Sequence, residues 1–383
     1  MQFTGPGDPA RLCARRPDRG GRVSGVHTQH PGALGELAER LPGLTAHDPG
    51  GRAESLVRRG QLLVARRHLG AALAILERWV DTVETDDPVV LRLRPSVAAD
   101  CVRIAGDTRP RVPVAANHVH LVGTPVLHGT GAVPRPAPMP PAPPPGTWSP
   151  PVVITLFDTG LDPHPWFADR PWFDPTTPEL LDTDHDGRAD RQAAHGTFVA
   201  GVVLRTAPGA TLRVHRTLTP HGLTDDRALA AALLRESRRP HPHVIVLTAG
   251  CPTPDDRCPP VLEAALSRFP RTEVVAAAGN AGTTRPFWPA ALPTVTAVGA
   301  ANPDGTRAPF SNHGPWLDRL APGVDVLSSH VHLHNGHHHY GAALWTGTSF
   351  AAPHAAAEIA TTIASTTPHI PRARPAPSPT HHP

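Results

Sequence analysis

Asp158, His195 and Ser349 stand in that order in the segments DTGLD, HGTFVAG and GTSFAAPH, and Asn280 lies between the last two in AAAGNAG. A serine hydroxyl is a poor nucleophile near neutral pH. It needs an imidazole to take its proton, and the imidazole needs a carboxylate to hold its tautomer and stabilise its charged form. A side-chain amide such as that of Asn280, beside the Ser349 backbone N–H, could supply the donors for a tetrahedral oxyanion. Taken singly, each residue has a plainer reading: one of 25 histidines, an Asp-Thr-Gly turn, a Thr-Ser helix cap. Taken together, the four fill the four roles of nucleophilic acyl transfer.

The elements around these residues suit that chemistry. Apolar runs at 152–157, 211–216, 243–248, 272–277 and 294–299 read as strands, and 225–238, 260–269 and 351–363 have helical spacing. The alternation predicts βαβ units around a mainly parallel sheet. In such a sheet ligands bind beyond the carboxyl ends of the strands. Asp158 ends the first run, Asn280 follows the fourth, and His195 and Ser349 stand at helix starts, where free N–H groups and the dipole favour developing negative charge.

These motifs resemble the subtilisin-like serine peptidases. The supporting segments are VTAVGA at 295–300, FSNHGP at 310–315 and APGVDVLS at 321–328, so the likeness runs through about 210 residues. The resemblance implies a three-layer α/β fold and a serine endopeptidase acting through an acyl-enzyme on Ser349, with no cofactor required for the chemistry. Peptide or protein substrate would add as a strand against Thr248, Ala249 and Gly250 and near 222–223. Ala277, Ala278 and Gly279 would wall the S1 pocket, with Phe287 as its floor. The loop that carries a tight calcium site in many relatives is missing after His195.

Composition sets the remaining expectations. The 383 residues contain 49 Pro and 33 Gly, with a formal charge of +3. The reading is a flexible segment at 1–55, a small α+β propeptide-like domain at 56–130, a Pro-rich linker at 131–151 that is cut on maturation, the catalytic domain at 152–365 and a disordered tail at 366–383. No basic run points to nucleic acid, and no apolar stretch marks a signal peptide or a membrane span. A cytoplasmic location is the default expectation. Asp182, Asp184, Asp186 and Asp190 form a DxDxDG run that could hold Ca²⁺ weakly or be a plain surface turn. His330, His332, His334, His337, His338 and His339 read as a solvated loop, and Cys251 and Cys258 as free thiols. Two other function classes stay open. One is a non-catalytic binding protein on the same fold, which loss of a triad member would have favoured. The other is a hydrolase of non-peptide acyl groups, against which the missing GxSxG elbow counts.

Overall fold

The computed structural model describes residues 33–122, 133–174 and 178–366; the readings for 1–32 and 367–383 lie outside them. The first unit contains α1 (Ala33–Arg40), β1 (Leu44–His47), β2 (Ser55–Val64), α2 (Leu69–Leu76), β3 (Val80–Glu84), β4 (Val89–Leu93), α3 (Cys101–Thr108) and β5 (Val114–Leu121). It is an antiparallel sheet in the order β3-β4-β2-β5, with β1 on β2. Two readings are corrected here. Residues 33–55 are part of this unit, because β1 pairs with β2 from Leu44↔Arg58 to His47↔Ser55. The apolar spacing over 69–83 predicts a helix, but α2 stops at Leu76, and the β-branched Val80, Thr82 and Val83 pair with β4 instead.

The Pro-rich stretch is not a free spacer. Within it β6 (Arg135–Ala137) pairs with a later strand at Ala342–Leu344. The buried guanidinium of Arg170 donates to the carbonyls of Pro143 (3.1 Å), Pro144 (3.0 Å) and Gly146 (3.4 Å). Trp148 lies on Gly209, where a Cβ would come within 2.4 Å of the indole. Proline removes backbone donors but keeps its acceptors, and here one arginine gathers them.

The second unit follows as β7 (Val153–Asp158), α4 (His195–Thr206), β8 (Thr211–Arg216), β9 (Leu223–Asp225), α5 (Asp226–Glu236), β10 (Val244–Leu247), α6 (Pro260–Leu266), β11 (Glu273–Ala277), β12 (Thr296–Ala301), β13 (Arg319–Pro322), β14 (Val326–His334), β15 (His337–Trp345) and α7 (Thr348–Thr366). Six strands form one parallel sheet in the order β13-β12-β11-β10-β7-β8. Side chains alternate across it. Ile154, Leu156, Val244, Val246 and Val275 pack on α4 and α7. Phe157, Ile245, Leu247, Val274 and Ala276 pack on α5 and α6. A strand buried on both faces must be apolar throughout, which is why these runs read as continuous. The chain leaves β7 toward β8 on one side and returns to β10 on the other, so a crevice opens at the carboxyl ends of β7 and β10.

The His-rich stretch is a hairpin and not a loop, with His334, His337, His338 and His339 exposed at its tip. β14 and β15 pair from Val326↔Trp345 to His334↔His337, and Asn335 and Gly336, with φ of 50° and 72°, make the turn. His330 is buried beside Trp345, and desolvation, together with the neighbouring His332 and His164, lowers its pKa to about 3.

Candidate active site

β7 delivers Asp158 to the crevice, fully buried. Its Oδ1 accepts the Thr159 N–H (2.8 Å) and faces His195 Nδ1 at 2.7 Å, and its Oδ2 accepts the Thr248 hydroxyl at 2.6 Å. A carboxylate with this many donors is held in one orientation. Thr248 follows β10, so the two strands flanking the crevice are tied at the point where the imidazole docks.

His195 is the first residue of α4. Ala194 before it sits at φ 63°, a left-handed conformation costly for a residue with a Cβ, and this turn swings the ring into the crevice. Phe350 and Trp345 pack on the ring, with centroids 5.2 and 5.5 Å away, and Phe198 packs on both of them. Truncating Phe350 to alanine would cost about 3–5 kcal/mol of stability and loosen the imidazole. His195 Nε2 is buried without a hydrogen-bond partner among the described residues.

Ser349 lies inside the first turn of α7, which starts at Thr348, earlier than the sequence suggested. Its backbone N–H is therefore one of the unpaired donors of a helix start. Its hydroxyl donates to the Thr248 carbonyl at 3.0 Å. Asn280 follows β11 through Gly279 at φ 94°. Asn280 Oδ1 accepts the Thr348 N–H and hydroxyl, both at 2.9 Å, and the Thr348 oxygen accepts the Gly279 N–H at 3.1 Å. With its oxygen taken, the amide presents Nδ2 elsewhere. Asn312 braces the same loop: it donates to the Ala278 carbonyl (2.8 Å) and accepts from the N–H groups of Ala281 (2.9 Å) and Thr283 (3.2 Å).

Thr248, Ala249 and Gly250 line the other side. The Phe287 ring lies against both Gly250 and Gly279, where an added Cβ would come within 2.4 and 3.1 Å of it. Ala277 and Ala278 are buried at the end of β11. The first unit already occupies part of this surface. β5 pairs with β9 from Val119↔Asp225 to Leu121↔Leu223. Leu121 exchanges two backbone hydrogen bonds with Gly250 (2.8 and 3.3 Å), and the Val122 N–H donates to Gly222 O at 2.9 Å. Buried Asp226 secures the contact: Oδ2 faces His118 Nδ1 at 2.8 Å and Oδ1 faces His120 Nε2 at 2.7 Å. Burial alone would raise the Asp226 carboxyl, but the two histidines hold it down to about 2.

Carboxylate oxygens of Asp182, Asp184 and Asp190 lie within 4.8 Å of one another. Asp186 is not drawn into that group; its carboxylate accepts the Arg188 N–H at 2.8 Å. Cys251 and Cys258 are buried and free, and burial pushes both thiols up. Sequence reasoning missed Thr159, Thr348 and Asn312, each inside a quoted segment but assigned no role. It also missed Glu179, a buried carboxyl behind Asp158 that falls in no motif.

The model of the subtilase family matches residues 150–374. Over 222 residues the chain is 32% identical to Subtilisin BL of Lederbergia lenta, covering 55% of this chain and 75% of that protein. Over 223 residues it is 33% identical to Subtilisin E of Bacillus subtilis (strain 168), covering 55% of this chain and 54% of that one. Among solved structures, the patellamide maturation protease PatA is similar over 57% of this chain and 80% of its own, with 26% identity and a TM-score of 0.46.

Proposed function

The chain belongs to the subtilase family and is a subtilisin-like serine endopeptidase, and on that premise we propose the part each residue takes. Ser349 Oγ attacks the scissile carbonyl, His195 Nε2 takes its proton and later passes it to the leaving amine, and Asp158 holds the ring and stabilises the imidazolium. The Asn280 amide and the Ser349 N–H hold the oxyanion. The observation that carries this reading is the Asp158–His195 contact at 2.7 Å beside a buried, unpartnered Nε2. A fluorophosphonate probe on the purified protein tests it. Stoichiometric labelling that disappears with Ser349→Ala is expected, and equal labelling of both proteins would refute it.

Substrate adds as a strand between 222–225 and 248–250, and Phe287 leaves room for a small P1 side chain. The first unit acts as a propeptide. Leu121 and Val122 already hydrogen-bond Gly250 and Gly222 as a substrate strand would, so this end of the first unit lies along the substrate site. The acyl chemistry requires no cofactor. Asp182, Asp184 and Asp190 are the residues that would hold a calcium ion, which would stiffen the segment leading to His195. Among the described residues no helix is long and apolar enough to cross a membrane.

A further inference from the structure

The roles assigned above leave over one buried carboxyl group. Glu179 is 3% exposed and lies in irregular chain between β7 and α4, its backbone against Gly160. Its Oε1 accepts the Thr159 hydroxyl and the Gly196 N–H (3.3 Å), and its Oε2 accepts the Thr197 N–H (3.2 Å) and hydroxyl (2.5 Å). Thr159 is the residue after Asp158, and Gly196 and Thr197 are the two after His195. One side chain therefore grips the chain immediately beyond both Asp158 and His195.

We propose that Glu179 is a positioning residue for Asp158 and His195, holding the first turn of α4 and directing the Thr159 hydroxyl either toward or away from the Asp158 carboxylate. The proposal rests on the triad reading given above.

The Thr159 oxygen has one proton to give and several neighbours: it accepts the Gly196 N–H at 2.8 Å, touches Glu179 Oε1 and lies 3.4 Å from Asp158 Oδ1. When Glu179 is ionised, the threonine proton goes to Glu179. When Glu179 is protonated, its own O–H donates to the threonine oxygen, and the threonine proton turns to Asp158. Burial, reinforced by repulsion from Asp158 and only partly offset by the two threonines, pushes the Glu179 carboxyl up to about 8. The direction of the bond therefore reverses within the range where serine peptidases work. The charged and titratable groups facing this pocket are Asp158 on β7, His195 on α4, Asp162 in the next loop with His338 of β15 at 2.9 Å, and Arg216 on β8, which donates to the Pro178 carbonyl. Among the described residues no cation pairs with Glu179.

The test compares wild type, Glu179→Leu, Glu179→Gln and Thr159→Val as processed enzymes, following kcat and KM on one peptide from pH 6 to 10. Glu179→Leu should lose at least about tenfold in kcat with KM within about twofold. Glu179→Gln should restore most of that loss, because an amide donates to Thr159 and accepts from Thr197 as the protonated acid does. The wild-type inflection near pH 8 should be absent from both Glu179→Gln and Thr159→Val. Wild-type kcat in the leucine variant, or an inflection near pH 8 that survives Glu179→Gln, would overturn the proposal. Should the leucine variant fail to fold, the two pH profiles decide. Fluorophosphonate labelling of Ser349 run alongside separates the two ideas: an unlabelled wild type would sink the triad, whereas labelled variants with unchanged profiles would sink only Glu179.

Discussion

The hydroxyl of Ser349 donates to the carbonyl of Thr248 at 3.0 Å, so the hydroxyl rests on the segment proposed to receive substrate and not on the imidazole of His195. A P1 N–H arriving on that carbonyl competes for it and frees the hydroxyl to turn to His195. Replacing the P1 N–H by an ester oxygen should therefore lower kcat by roughly tenfold or more while KM changes less, since a missing hydrogen bond to substrate is worth about 0.5–1.5 kcal/mol in binding. Loss confined to KM would count against the coupling. Ser349→Ala and His195→Ala should each remove nearly all activity, because the two act as a unit.

Asn280→Ala should lower kcat by about 100- to 1000-fold, the loss seen when subtilisin itself is deprived of this donor. Thr348→Val should produce a smaller loss of the same kind, because it removes one of the two hydrogen bonds that hold the amide and leaves the backbone one. Steady-state kinetics on one peptide checks both, and an Asn280→Ala enzyme within threefold of wild type would remove Asn280 from the oxyanion site.

P1 specificity follows from Phe287. Glycine and alanine substrates should exceed phenylalanine in kcat/KM by at least about 100-fold, and Phe287→Gly should shrink that margin by admitting larger side chains. A peptide library profiled with both enzymes gives the answer; phenylalanine as the best P1 residue for wild type would contradict the filled pocket.

Maturation should remove the first unit and yield an N-terminus beyond Val122. Intact mass and N-terminal sequencing of the active protein test this, with Ser349→Ala staying full length. If both proteins keep an intact N-terminus after prolonged incubation, the first unit is not a cleaved propeptide.

Release of the first unit should depend on Asp226. Its folded carboxyl is held at about 2, below the unfolded value of about 3.9, so the stability it lends is present above pH 4 and is lost as pH falls toward 2. In Ser349→Ala protein, Asp226→Ala should cost about 3–5 kcal/mol by leaving two buried histidines without their acceptor. Thermal melting from pH 3 to 7 reads it, and an unchanged melting curve would make the contact incidental.

Asp158, His195, Asn280 and Ser349 could be singled out because each stands beside a glycine where a strand ends or a helix begins, a junction that sequence displays directly. Phe287 could be placed only through the resemblance to the family. Glu179 could not, since its importance comes from being enclosed by segments that meet only after folding, and nothing in PELLD hints at burial. The hairpin was hidden because imidazoles occupy its strand positions, although Asn335-Gly336 marked the turn. The helix read over 69–83 failed for a local reason: Val80, Thr82 and Val83 favour a strand once β4 is there to receive them.

Arg170 limits how far the enzyme can be shortened. A recombinant chain beginning at β7 would discard the carbonyls of Pro143, Pro144 and Gly146 and leave a sealed guanidinium with only those of Trp166 and Pro208 to answer it. The same cut removes Trp148 from Gly209 and β6 from β15, the strand that ends three residues before α7. The smallest peptidase unit that can stand alone therefore starts ahead of Arg135, with the proline-rich stretch counted as part of the enzyme.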